Sequence, residues 1–215
     1  NELKVSQDNL ESWEKYSHTY KYIFSADLET DESITKFVNS DVPFNNKAYI
    51  PEDLVSFSSE YITDGKGYWT LSNVLIPELN LLAEEFYKEF WVKFQINSAY
   101  RSYAYQKWIK DRWCPDNVCA KAWFSEHQSG LGLDIFSITS ESVWKNNPTL
   151  WKYYTWLDQN AHKYGFHNTY QKGLKIDGYE IEPWHWRYVW ADLATHLSEN
   201  DITIAEFYYQ QKKND

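Results

Sequence analysis

Two short stretches, far apart along the chain, constrain this sequence more than any other feature. The first is Ser125-Glu126-His127-Gln128-Ser129-Gly130-Leu131-Gly132-Leu133-Asp134 and the second is Glu182-Pro183-Trp184-His185-Trp186. In the first, His127 precedes two glycines that let the backbone turn sharply, and Leu133 to Ile138 then reads as a buried strand. A turn followed by a strand can bring an imidazole and a carboxylate seven positions apart to one point. In the second, an offset of three puts Glu182 and His185 on opposite faces of a regular strand. They converge only if Pro183 bends the chain into a turn, and such a turn is assumed.

The remaining pattern predicts one α+β domain: a small central antiparallel sheet flanked by helices, with extra helices at the N-terminus. The 215 residues suit one well-filled core and carry no Gly/Ser-rich or Pro-rich linker. Residues 6–24 read as a helix opened by Ser6, and Thr30 or Asp31 caps a second short helix through Val38. Residues 1–40 are therefore expected to be a helical extension packed on the main domain over 41–215. Between Asp41 and Thr70 the prolines and the Asp64-Gly65-Lys66-Gly67 cluster leave brief strand-like runs such as Val55 to Ile62. Leu75, Leu79, Leu82 and Phe86 fall at helical spacing, and Val92 to Ile96 follows as a strand. A helix is expected from Ser102 to about Trp113, and another over 149–164 that stops at Gly165. Extended pieces over 166–170, 179–182 and 186–190 precede a helical tail. Helices and strands mix without strict βαβ alternation, which favours α+β.

The net charge of −10, with no basic stripe, disfavours nucleic acid as a partner. No stretch approaches the roughly 18 to 20 apolar residues that cross a bilayer. The chain begins at Asn1 and contains no Met, which suggests a trimmed form that has lost a leader or anchor. Cys114 and Cys119 enclose Pro115-Asp116-Asn117-Val118, turn chemistry that brings chain ends together. A disulfide fits this pair better than half of a zinc ribbon, since no second Cys/His pair lies nearby. It points to an oxidising, extracytoplasmic setting such as periplasm, cell wall or medium. Aromatic residues make up 19% of the chain, which suits a core of large rings or a sugar-stacking surface.

Taken alone, His127 with Asp134 is more often a hydrogen bond than a ligand pair. Together the two segments offer two imidazoles, one carboxylate ligand and one spare carboxylate, the parts of a catalytic zinc site with an open position. The arrangement Ser-x-His-(x)6-Asp, followed some fifty residues later by Glu-x-x-His, resembles the VanY-type D-alanyl-D-alanine carboxypeptidases and the similar L,D-carboxypeptidases of zinc peptidase family M15. The likeness runs from about Pro51 to Trp190. It implies that His127, Asp134 and His185 hold Zn²⁺ on the sheet, that Glu182 is the general base, and that the partners are peptidoglycan stem peptides. It also picks out Ser98-Ala99-Tyr100-Arg101-Ser102-Tyr103-Ala104-Tyr105-Gln106, where the family places an Arg and a Gln facing substrate. A guanidinium binds a free C-terminal carboxylate in a bidentate way; the alternative is that Arg101 only pairs with an acidic side chain. By the same resemblance Gln106 and Ser125 supplement the carboxylate contact, Tyr170 hydrogen-bonds the peptide or developing oxyanion, and Trp184 forms a pocket wall or packs in the core.

Two positions depart from the family pattern: Gly132 stands where Ala is common, and Thr169 where an Arg usually precedes the Tyr. Dipeptidase and endopeptidase variants of the same zinc core, and a metal-free wall-binding module, are the competing readings. Retention of all three ligand residues and of Glu182 argues against the last. A structural zinc domain fits poorly because no fourth protein ligand is evident.

Overall fold

The computed structural model describes residues 26–112 and 114–214. The helix expected over 6–24 lies outside them. Strands β1 (Leu54–Ser56) and β3 (Thr70–Ser72) pair as a small antiparallel ribbon. The other five form one sheet in the order β2 (Ile62–Asp64), β4 (Phe94–Ser98), β5 (Gly132–Ile135), β7 (His185–Tyr188), β6 (Phe166–Asn168). The run expected over 55–62 is thus two separate strands. The α+β class holds, with one difference in the sheet: β2 runs parallel to β4, while the remaining neighbours are antiparallel. A parallel pair needs a long crossover, and helix α1 (Ile76–Phe90) supplies it.

Helix α1 starts where Pro77 has no N–H to lose, and buries Leu79, Leu82, Ala83 and Phe86. The ring of Phe86 lies 4.7–5.6 Å from those of Phe90, Phe94, Phe136, Tyr153 and Trp156. Much of the unusual aromatic content is therefore core. Helix α2 (Tyr103–Lys110) is capped by the Ser102 hydroxyl, which accepts from the Tyr105 N–H. Helices α3 (Glu141–Asn146) and α4 (Pro148–Asn160) follow, and a 3-10 turn at Ala161–Tyr164 ends at Gly165 with φ +80°. A Cβ there would come within 2.6 Å of the Tyr188 ring and 3.1 Å of the Ala191 nitrogen, so only glycine fits. Helices α5 (Leu174–Asp177), α6 (Ala191–Glu199) and α7 (Ile204–Asn214) complete the chain.

The short helix expected over 30–38 does not form. Asp27 Oδ1 instead accepts from the N–H groups of Glu29 and Thr30, and the Ser33 and Thr35 hydroxyls donate to the Asp27 carbonyl. Short polar side chains that capture nearby backbone groups compete with helix formation. Residues 26–38 run instead as turns, with Leu28 and Phe37 packed in a second apolar cluster against α6 and α7. Phe37 stacks on Tyr208 at 4.4 Å. Residues 179–182, expected to be extended, join no sheet; single bonds from Glu180 N–H to Asn117 O and from Glu182 N–H to Tyr170 O hold them.

Candidate active site

The register of β5 and β7 builds the centre of the site. Asp134 sits directly opposite His185, and residues opposite each other in an antiparallel pair share a face. Asp134 Oδ1 and His185 Nδ1 are accordingly 3.0 Å apart. The neighbours Leu133 and Ile135 alternate to the other face and belong to the main core. Before β7 the chain makes the turn that the sequence required: the His185 N–H donates to the Glu182 carbonyl across Pro183 and Trp184. His127 lies in a 3-10 turn, Glu126–Ser129, that ends at Gly130 with φ +70°. A Cβ on Gly130 would lie 2.9 Å from Leu54 Cδ2 and 3.1 Å from the Ser72 nitrogen. The His127 Nδ1–H donates to the Ala99 carbonyl at 2.7 Å, which turns Nε2 toward Asp134 Oδ2 at 3.2 Å.

Donor atoms of His127, Asp134 and His185 all lie within 4.8 Å of one another, and all three residues are buried. The His127 Nε2 is buried without a hydrogen-bond partner. A buried polar atom left unpaired is costly, and a ligand atom for a metal is the role that accounts for it here. Two imidazole nitrogens, one carboxylate oxygen and an adjoining cavity fit zinc with an open coordination position. Burial and the nearby Arg101 push His127 down to about 4, so it stays a neutral ligand. Burial would raise Asp134, but His127, His185 and Arg101 outweigh it and hold the carboxylate ionised. Burial opposes charge on His185 as well, yet the flanking carboxylates of Asp134 and Glu126 raise it to about 9.

A cavity of about 270 Å³ adjoins this centre, lined by every predicted substrate contact: Arg101, Gln106, Ser125, Tyr170 and Trp184. Glu182 lines it too, only 7% exposed, and burial raises its carboxyl to about 8. Arg101 approaches Asp134 Oδ2 at 3.7 Å, too far for a hydrogen bond, and its Nε has no partner. Gln106 does something the sequence did not suggest. Its Nε2 donates to the Ala120 carbonyl, so the side chain braces the segment that follows the cysteines. Ser125 is buried immediately before the His127 turn. Tyr170 stacks on the His185 ring at 4.7 Å. Trp184 both lines the cavity and belongs to the main core.

Cys114 and Cys119 are disulfide-bonded, as expected, and they too line the cavity. Lys110 Nζ donates to both cysteine carbonyls at 2.9 Å and pairs with Asp116, while Asn117 bonds Glu180. The loop is thereby pinned between α2 and the segment leading to Glu182.

Sequence reasoning missed Glu126 and Arg187. Both are fully buried and paired, Nη1 to Oε1, at 3.3 Å. A signal existed, since Arg187 is a lone charge within Trp184-His185-Trp186-Arg187-Tyr188-Val189. Thr169, singled out for replacing an Arg, donates to Glu126 Oε2 at 2.8 Å and does not line the cavity.

The VanY family, described as D-alanyl-D-alanine carboxypeptidase, matches residues 71–191, more than half of the chain. The Bacillus subtilis (strain 168) protein YodJ is 36% identical over 124 residues, 54% of this chain and 45% of that protein. A D-alanyl-D-alanine carboxypeptidase of Enterococcus faecium is 27% identical over 184 residues, 82% of this chain and 58% of the relative. The chain thus spans about half the length of these two curated relatives. Among solved structures, the LdcB LD-carboxypeptidase superposes with a TM-score of 0.67 at 29% identity, covering 83% of this chain and 87% of LdcB. With residues 71–191 matched and the fold shared, this chain belongs to the VanY family of D-alanyl-D-alanine carboxypeptidases.

Proposed function

We propose that this chain is a zinc carboxypeptidase that removes the C-terminal D-alanine from peptidoglycan stem peptides, outside the cytoplasm. The observation that carries this reading is the buried His127, Asp134 and His185 donor set, with its orphaned His127 Nε2, opening onto the cavity that Glu182 and Arg101 also line. Residues 41–215 form the catalytic unit in this reading, and of the residues before it the described ones, 26–40, pack on it through Leu28 and Phe37. His127, Asp134 and His185 would hold the zinc, which would supply Lewis acidity to polarise a carbonyl and acidify water.

The side chains do the rest. Arg101 holds the terminal carboxylate and so selects the last peptide bond; its Nε has no partner, and its ion pair with Asp134 at 3.7 Å is too long to use up a hydrogen-bond donor. Glu182 takes a proton from the attacking water as the C–O bond forms. It returns that proton to the amide nitrogen as the C–N bond breaks, and D-alanine leaves as a free amine. The buried wall of Tyr170 and Trp184 keeps bulk water from the reacting atoms.

The test is zinc content measured together with D-alanine release from purified tetrapeptide and pentapeptide stems, with chelator and metal add-back. Chelator-sensitive release is expected, and the preferred stem separates L,D from D,D specificity. Bound zinc with neither stem cleaved would move the assignment to an endopeptidase or dipeptidase. Arg101→Lys keeps the charge and loses the fork; kcat/KM on stem peptides is expected to fall about 10- to 100-fold, the worth of a charge-assisted bidentate contact. Unchanged kcat/KM would return Arg101 to a structural role.

A further inference from the structure

We infer that Glu126 is a positioning residue of the metal centre: it fixes which nitrogen of His185 faces the metal. This rests on the reading that His127, Asp134 and His185 hold zinc. The carboxylate of Glu126 is wholly buried and accepts from three donors: His185 Nε2 at 2.9 Å, Thr169 Oγ1 at 2.8 Å and Arg187 Nη1 at 3.3 Å. Once a metal displaces the Nδ1 proton, an imidazole whose Nε2–H is given to a carboxylate presents the lone pair of Nδ1, and Nδ1 is the nitrogen that faces Asp134 at 3.0 Å. His127 is set the opposite way by the Ala99 carbonyl, offering Nε2. The two imidazoles thus reach one point through different nitrogens, each chosen by the partner on its far side.

Arg187 makes the buried carboxylate tenable. His185 and Arg187 stand two apart on β7 and so share a face, which aims the imidazole and the guanidinium at the same Glu126. The other terminal nitrogen, Nη2, donates to the carbonyls of Ile34 and Lys36 at 3.0 and 3.1 Å. Those two carbonyls lie outside the matched region 71–191. The N-terminal segment is therefore wired to the metal ligand through Arg187 and Glu126. A pair present only for stability would have no need of the imidazole, since buried ion pairs are commonly matched or bettered by apolar packing.

The experiment compares wild type with Glu126→Gln by zinc affinity in chelator competition, by the visible spectrum of the cobalt(II)-substituted protein, and by thermal unfolding without metal. The expected result is a folded variant whose zinc dissociation constant rises about 10- to 100-fold, with an altered cobalt spectrum. A variant whose unfolding midpoint falls while affinity and spectrum stay as in wild type would overturn the proposal. If Glu126→Gln does not fold, Thr169→Val removes one donor to the same carboxylate and keeps both charges. A shifted cobalt spectrum is then expected, and an unchanged one overturns the proposal. Failure of wild type itself to bind zinc would refute the reading of the site, an outcome distinct from a wild-type protein that binds zinc and a Glu126 variant that binds it equally well.

Discussion

Glu182→Gln is expected to keep a full complement of zinc and to lose about 10²- to 10⁴-fold in kcat, the range that a positioned general base contributes. The amide matches the carboxylate in size and the side chain is outside the donor set, so neither the fold nor the metal has reason to change. Only the capacity to take up a proton disappears. Because turnover needs the ionised carboxylate, wild-type kcat is expected to rise with pH through the titration of Glu182, and the variant to lack that limb. Zinc analysis alongside D-alanine release decides the matter; wild-type turnover in the variant would put the base elsewhere.

His185→Ala is expected to abolish both metal and activity. It removes one of the three donors and leaves Asp134 and Glu126, both buried, facing a hole where the imidazole had joined them. Their mutual repulsion is then offset by Arg101 and Arg187, at 3.7 and 3.3 Å, and by the Thr169 hydroxyl on Glu126. Zinc affinity should fall by more than about 100-fold, beyond what loss of an outer-shell partner costs. Equilibrium dialysis against buffered zinc measures it. Retention of zinc at wild-type affinity would remove His185 from the ligand set.

The sequence carried the site better than it carried the frame around it. His127, Asp134, Glu182 and His185 were legible because a metal centre demands particular atom types, and the glycines and Pro183 beside them advertise turns. The face of α1 was legible from its spacing, with Leu79, Leu82 and Phe86 all buried. The turns over 26–38 were not, because Ser, Thr and Asp serve equally as helix caps and as partners for local backbone, and tertiary packing of Leu28 and Phe37 decides between the two. The bounds of edge strand β2 and its parallel pairing were not legible because three residues are too few to show a period. Glu126 was hidden for another reason: its importance lies in partners 43, 59 and 61 residues away, and single-sequence patterns do not report long-range pairs.

The facing of Asp134 and His185 across β5 and β7 also dictates an order of events. His127 and Asp134 are near neighbours in the chain, but the third donor is 51 residues beyond Asp134 and becomes available only when two distant strands have zipped in the right register. Closing so long a loop is slow and costs entropy before any contact compensates it. Tight metal capture is accordingly expected only after β5 and β7 have paired. A chain in which β5 and β7 have not paired offers two donors instead of three, so tight retention of the ion would report that this strand pair has formed.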